Sequence, residues 1–90
     1  MHATTSPVQI VRLKNKTAKQ QQVWLEPLGD RIALEPNVLY ELTATDEFGK
    51  VEIDMAEDGF VLYGWVTRVD SIDGQGNARR EWELPGANQR

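Results

Sequence analysis

The stretch Val23-Trp24-Leu25-Glu26-Pro27-Leu28-Gly29-Asp30-Arg31-Ile32-Ala33-Leu34-Glu35-Pro36-Asn37-Val38-Leu39-Tyr40-Glu41-Leu42 decides the fold. It holds the tripeptide Leu-Glu-Pro twice, at Leu25-Glu26-Pro27 and Leu34-Glu35-Pro36. Proline fixes φ near −65° and has no N–H for a ladder, so each proline ends the strand before it and suits the second position of a β-turn. The stretch therefore reads as strand, turn, strand, turn, strand. Glu26-Pro27-Leu28-Gly29 has the Pro and Gly positions of a type I turn. Glu35-Pro36-Asn37-Val38 puts Asn third, where it tolerates positive φ. Glu26 and Glu35 then lie at opposite ends of one strand and do not form a catalytic pair. The two-residue period predicts that Ile32, Leu34, Val38, Tyr40, Leu42 and Ala44 face a core.

The same period continues outward from this stretch. In Lys50-Val51-Glu52-Ile53-Asp54-Met55 the apolar residues share one face and the charged ones the other, which predicts a half-buried strand. Asp46-Glu47-Phe48-Gly49 and Glu57-Asp58-Gly59 bracket it as turns, and Asp-Gly is a strong hairpin signal. Consecutive strands are accordingly expected to be antiparallel neighbours. The run from Phe60 to Val69 is apolar on both faces, as in a strand buried between two layers, with Gly64 a bulge or bend. Asp73-Gly74-Gln75-Gly76-Asn77 links it to a last strand at Arg80-Glu81-Trp82-Glu83-Leu84, stopped by Pro85-Gly86. No long window keeps helical spacing without Pro or Gly. About seven strands at this spacing predict an all-β fold, a small antiparallel β-sandwich of immunoglobulin-like or cupredoxin-like outline, with a partly open β-barrel as the alternative. The expected organisation is one domain over 7–86, with tails at 1–6 and 87–90.

Composition narrows the function. Ninety residues support one modest core. There is no cysteine, so disulfides, thiolate metal sites and cysteine nucleophiles are excluded. Met1 to Pro7 lacks the basic and apolar regions of a signal peptide, and no apolar run has the ~20 residues of a membrane helix. A cytoplasmic, soluble protein with no membrane partner is expected. The sequon Asn15-Lys16-Thr17 has meaning only in a secreted eukaryotic chain.

The net charge of −4 is unevenly spread. Residues 1–25 carry Arg12, Lys14, Lys16 and Lys19 and no acid, whereas residues 26–67 carry ten acids against Arg31 and Lys50. An acidic middle disfavours nucleic acid, whose phosphates need a basic face. Two readings of the pattern remain: charges pairing across strands after folding, or an acidic face for a basic partner.

Part of the chain resembles known sequences. The Glu-Pro, Gly, aliphatic strand, Leu-x-Pro and Tyr40-Glu41-Leu42 series, followed by the Gly-Phe-aliphatic-Tyr-Gly-Trp segment from Gly59 to Trp65, resembles a group of small uncharacterised bacterial all-β proteins. The resemblance covers roughly residues 20 to 66. Asn37 stands where such proteins often carry Gly after the second proline, a substitution a left-handed turn position accepts. The resemblance implies a fold and carries no activity.

Candidate chemistry is sparse. The sole histidine, His2, lies in a tail, so no Ser-His-Asp triad or histidine metal site rests on an ordered imidazole. Asp54, Glu57 and Asp58, or Asp70, Asp73 and Asn77, could gather around a cation, but neither set has the spacing of a dedicated calcium loop. Acidic turn residues more often cap their own turn. Gly74 and Gly76 precede neither a helix nor a P-loop lysine. No cofactor, metal or catalytic residue is expected, and the chain reads as a non-enzyme.

The aromatics remain. Trp24 alternates with Val23 and Leu25 and so faces away from them; Tyr63 and Trp65 share a face of one strand; Trp82 sits among charges. They either complete the core or form an anchor patch, since Trp, Tyr and Arg dominate binding hot spots. The candidate interface is Trp24, Trp65, Arg68, Arg80 and Trp82, with Arg79 on its rim. The first expectation is a protein-binding or assembly module of a bacterial cell using a sheet face or edge, self-association included. The alternatives are a small-ligand module for a sugar or cation, sited beside Trp65 or the acidic turns, and an acidic neutraliser of a basic protein.

Overall fold

Alternation builds the core of this protein. In β2 (Gln21–Glu26) Val23 and Leu25 are fully buried, and the same spacing buries Tyr40, Leu42 and Ala44 in β4 (Leu39–Thr45). A computed structural model gives the fold of residues 8–46 and 49–85. His2, Phe48 and both expected tails lie outside the described residues. The other strands are β1 (Val8–Lys14), β3 (Asp30–Leu34), β5 (Glu52–Ala56), β6 (Gly59–Tyr63), β7 (Trp65–Ile72) and β8 (Ala78–Glu83). They form two four-stranded sheets, ordered β1-β4-β7-β8 and β3-β2-β6-β5. The inner faces meet over Val23, Leu25, Leu34, Leu62, Tyr40, Leu42, Ala44, Val66 and Val69. This is a β-sandwich and not a closed barrel. Ile32 and Val38 are partly buried against that core.

The double Leu-Glu-Pro punctuates the chain as read, with one difference. At the second, Asn37 has φ of 64° and Val38 N–H donates to the Glu35 carbonyl at 3.4 Å. At the first, the Glu26–Pro27 bond is cis and Gly29 N–H donates to the Leu25 carbonyl at 2.9 Å. That closure spans one residue more than a type I turn.

Three other expectations are corrected. The Phe60 to Val69 run is two strands, because the chain leaves one sheet at Tyr63 and enters the other at Trp65. Gly64 makes the corner: an added Cβ would lie 3.0 Å from a Val51 methyl, and its N–H donates to the Glu26 carbonyl at 2.8 Å. Consecutive strands pair antiparallel only at β2–β3, β5–β6 and β7–β8, because the other connections cross between the sheets, and β6 lies parallel to β2, with Trp24 level with Val61. Gly59 permits this approach; a Cβ there would stand 1.8 Å from the Gln22 carbonyl oxygen. Finally, β5 is exposed throughout and not half-buried. Ile53 and Met55 do point towards the inner side, aligned with Leu62 and Phe60, yet remain 42% and 83% exposed because the opposite sheet does not cover them.

One node had no signal beyond its sequon. Asn15 is buried just after β1, and its Nδ2 donates to the carbonyls of Lys19 (2.7 Å) and Leu34 (2.9 Å). Its Oδ1 accepts from Thr17 N–H (2.9 Å) and Thr17 Oγ1 (2.7 Å). The side chain is saturated and ties the end of one sheet to the other.

Candidate functional site

Each member of the sequence-derived interface has a definite place, and the five do not converge. Trp82 points inward from β8, opposite Val69, and packs on the core. Its Nε1–H donates to Asp30 Oδ2 on β3 at 2.7 Å, so this tryptophan spans the two sheets. Arg80 and Arg68 are occupied by Asp70. The Arg80 Nε lies 2.7 Å from Asp70 Oδ1 and the Arg68 Nε 3.4 Å from Oδ2, with Arg80 also 3.2 Å from Glu83. Asp70 is only 9% exposed, beside a fully buried Val69. Two adjacent buried residues break plain alternation, and the register of β7 on β8 does shift between them. A nearly buried carboxylate needs such partners. Its hydrogen bond in turn holds the Arg80 guanidinium above its ordinary pKa.

These groups belong to a charged row across the first sheet. Arg12, Glu41, Asp70 and Arg80 are successive register partners on β1, β4, β7 and β8. Each acid has its own arginine, with Arg12 2.8 Å from Glu41. Cross-strand pairing therefore absorbs part of the charge asymmetry of the sequence.

Trp65 opens β7 on the outer side of the same sheet, level with Thr45. Tyr63, expected on its face, lies on the other sheet because the chain turns at Gly64 between them.

Trp24 alone among the five stands on an open aromatic surface. It faces outward from the second sheet, between Arg31 on β3 and Val61 on β6. One step along, Tyr63 lies between Glu26 on β2 and Glu52 on β5. Trp24, Val61 and Tyr63 thus line a shallow hollow with Glu26 and Ala56, and Tyr63 is 44% exposed. Glu52 and Asp54 edge it on β5, Asp54 being level with Val61. Alternation gave the outward aim of Trp24, but the parallel neighbour that completes the strip comes from tertiary structure.

An apolar cleft of about 340 Å³ opens elsewhere, where the end of β1 faces β5 and β6. Leu13, Leu34, Met55 and Phe60 give it apolar walls, and Lys14, Lys16 and Glu57 stand around it.

The acidic turns resolve differently from a cation site. Among the described residues no three His, Cys, Asp or Glu side chains are grouped to hold a metal. Asp73 caps its own turn, its Oδ1 accepting from Asn77 N–H (2.9 Å) and Gln75 N–H (2.8 Å). Those donors, Asn77 first, hold its carboxyl below the ordinary 3.8. No helix among the described residues is long and apolar enough to cross a membrane. The chain matches no protein-family model, and no curated protein or solved structure is similar enough to count as a match.

Proposed function

We propose that this chain is a non-enzymatic protein-binding module that receives a basic segment of its partner on the outer face of the β3-β2-β6-β5 sheet. The reading is carried by the strip of Trp24, Val61 and Tyr63, which sits on neighbouring strands beside the carboxylates of Glu26, Glu52 and Asp54. Aromatic faces attract guanidinium and ammonium groups by about 0.5–2 kcal/mol each. The carboxylates add attraction for the same charge and disfavour acidic partners. Arg31, on the far side of Trp24, confines this preference to the β6–β5 half of the face.

Calorimetric titration with an oligoarginine peptide, with an oligoglutamate peptide as control, tests the proposal. The expected result is binding of the basic peptide alone, weakened about tenfold or more by Trp24→Ala or Tyr63→Ala, equivalent to ~1.4 kcal/mol. Both variants should retain a cooperative melt, because neither side chain is in the buried core. Absence of binding, or equal affinity in wild type and variants, overturns the assignment.

A further inference from the structure

The two sheets end on the same side in edge strands of opposite charge. Trp82 of β8 reaches Asp30 of β3, which sets those two edges over each other. The sheet orders then place β1 and β5 together at the opposite side. Their C-terminal ends, Leu13-Lys14 and Met55-Ala56, line the same cleft, so the two strands run in the same direction and at matching heights. β1 carries Arg12 and Lys14 and leads into Lys16 and Lys19, whereas β5 carries Glu52 and Asp54 and leads into Glu57 and Asp58.

Unprotected edges recruit further strands. The other two edges are interrupted, β3 by Pro27 and Pro36 on either side and β8 by its register shift. β1 and β5 have neither device, and among the described residues each strand pairs on one side only.

We infer that β1 and β5 pair with β5 and β1 of a second copy of this chain, forming a closed two-fold dimer. A two-fold axis parallel to the strands carries each sheet of one copy into line with the opposite sheet of the other, inner face continuing inner face. It preserves height along the strands, so Leu13 comes level with Met55 of the second copy, Val11 with Ile53 and Arg12 with Asp54. The inner side of the new seam is then apolar, which covers the exposed Ile53 and Met55, and on the outer side Arg12 faces Asp54, with Lys14 and Glu52 flanking that pair. Because both edges lie on one side, a single axis satisfies both and the assembly closes without growing into a fibre. Parallel strand addition of this kind takes affinity from main-chain hydrogen bonds and register from side chains. The dimer leaves Trp24, Val61 and Tyr63 uncovered but shares Glu52 and Asp54 with the proposed peptide face, so it is tested by self-association without peptide, whereas Trp24→Ala and Tyr63→Ala bear on the peptide alone.

Sedimentation equilibrium of the full 10.2 kDa chain tests it, with paired charge swaps. Wild type should sediment as a dimer at micromolar concentration. Lys14→Glu/Lys16→Glu removes the net positive charge of the β1 edge and Glu52→Lys/Asp54→Lys the net negative charge of the β5 edge, so each variant alone should become monomeric. An equimolar mixture should regain a heterodimer, since the unaltered acidic β5 of one then meets the unaltered basic β1 of the other. All four positions are exposed, and an unchanged melting profile in dilute solution checks that the fold survives. A monomeric wild type, dimers that persist in both variants, or a mixture that stays monomeric overturns the inference. The last outcome leaves the cleft to an extended segment of a different protein.

Discussion

Along the β8/β3 side of the sandwich a tryptophan on one sheet hydrogen-bonds a carboxylate on the other, and two arginines cover Asp70 beside it. Along the β1/β5 side the sheets part around a cleft, and Met55, an apolar residue pointing inward, has nothing over it. Both sides are built from the same alternation of apolar and charged residues. The difference lies in what stands opposite. A half-buried Trp with a satisfied N–H closes an edge, while an aliphatic strand without an opposing layer leaves one to be covered from outside.

Substitutions at the two sides should separate them. The largest effect is expected at the end of the open side, where Asn15 latches one sheet to the other. Asn15→Ala leaves the Leu34 carbonyl without the Nδ2 donor and the Thr17 N–H without its acceptor, while the Lys19 carbonyl keeps the Thr17 hydroxyl. At about 1–3 kcal/mol for each buried group left unsatisfied, discounted for those that reach water, a loss of about 3 kcal/mol should appear in urea unfolding. A loss below about 1 kcal/mol would show that the open side needs no latch. On the closed side, Trp82→Phe keeps one six-membered aromatic ring, loses the pyrrole part of the indole and deletes the donor to Asp30, for an expected loss of about 1–2 kcal/mol. Met55→Ser, measured on a Lys14→Glu/Lys16→Glu background so that self-association does not enter, should stay within about 0.5 kcal/mol. Equal effects at Trp82 and Met55 would erase the contrast between the sides.

The smallest effect concerns the tip of the closed side. Asp73 has a folded-state pKa below its ordinary 3.8, so its contribution is present above that value and is lost as pH falls through the lower one. The protection of the Gln75 and Asn77 amides, taken relative to their intrinsic exchange rates at each pH, should therefore fall on acidification below about pH 4. An Asp73→Asn tip should lack that pH dependence, because it does not titrate there. A tip whose exchange is the same with Asp or Asn across this range would remove the carboxylate from the account.

How far these sides were legible depends on the kind of signal each residue carries. Alternation reports which face a side chain takes, and it placed Leu34, Tyr40, Leu42 and Ala44 in the core and Trp24 outside it. It does not report whether another layer lies over that face, which is why Ile53 and Met55 resemble core residues in sequence and are exposed in the structure. Strand order is a long-range property, so the parallel contact of β2 with β6, and with it the Trp24–Val61–Tyr63 strip, had no local trace. Trp82 amid Arg80, Glu81 and Glu83 looked like a surface anchor because its partner, Asp30, is remote in the chain. Gly64 was recognisable as a bend, but a bend within one sheet and a crossing between two look alike when only the flanking apolar residues are seen.

The parallel contact of β2 with β6 also sets a timetable for the newly made chain. As the polypeptide leaves the ribosome, β2 and β3 can close their hairpin at once, but the other flank of β2 waits until β4 and β5 have been made and β6 follows. β1 waits likewise for β4. Val23 and Leu25 thus stay without their β6 neighbours until that strand is made, and the entropy of closing these long loops must be met before the core repays it. Emergence of β6, and not of the early strands, is therefore the point at which the second sheet becomes able to assemble.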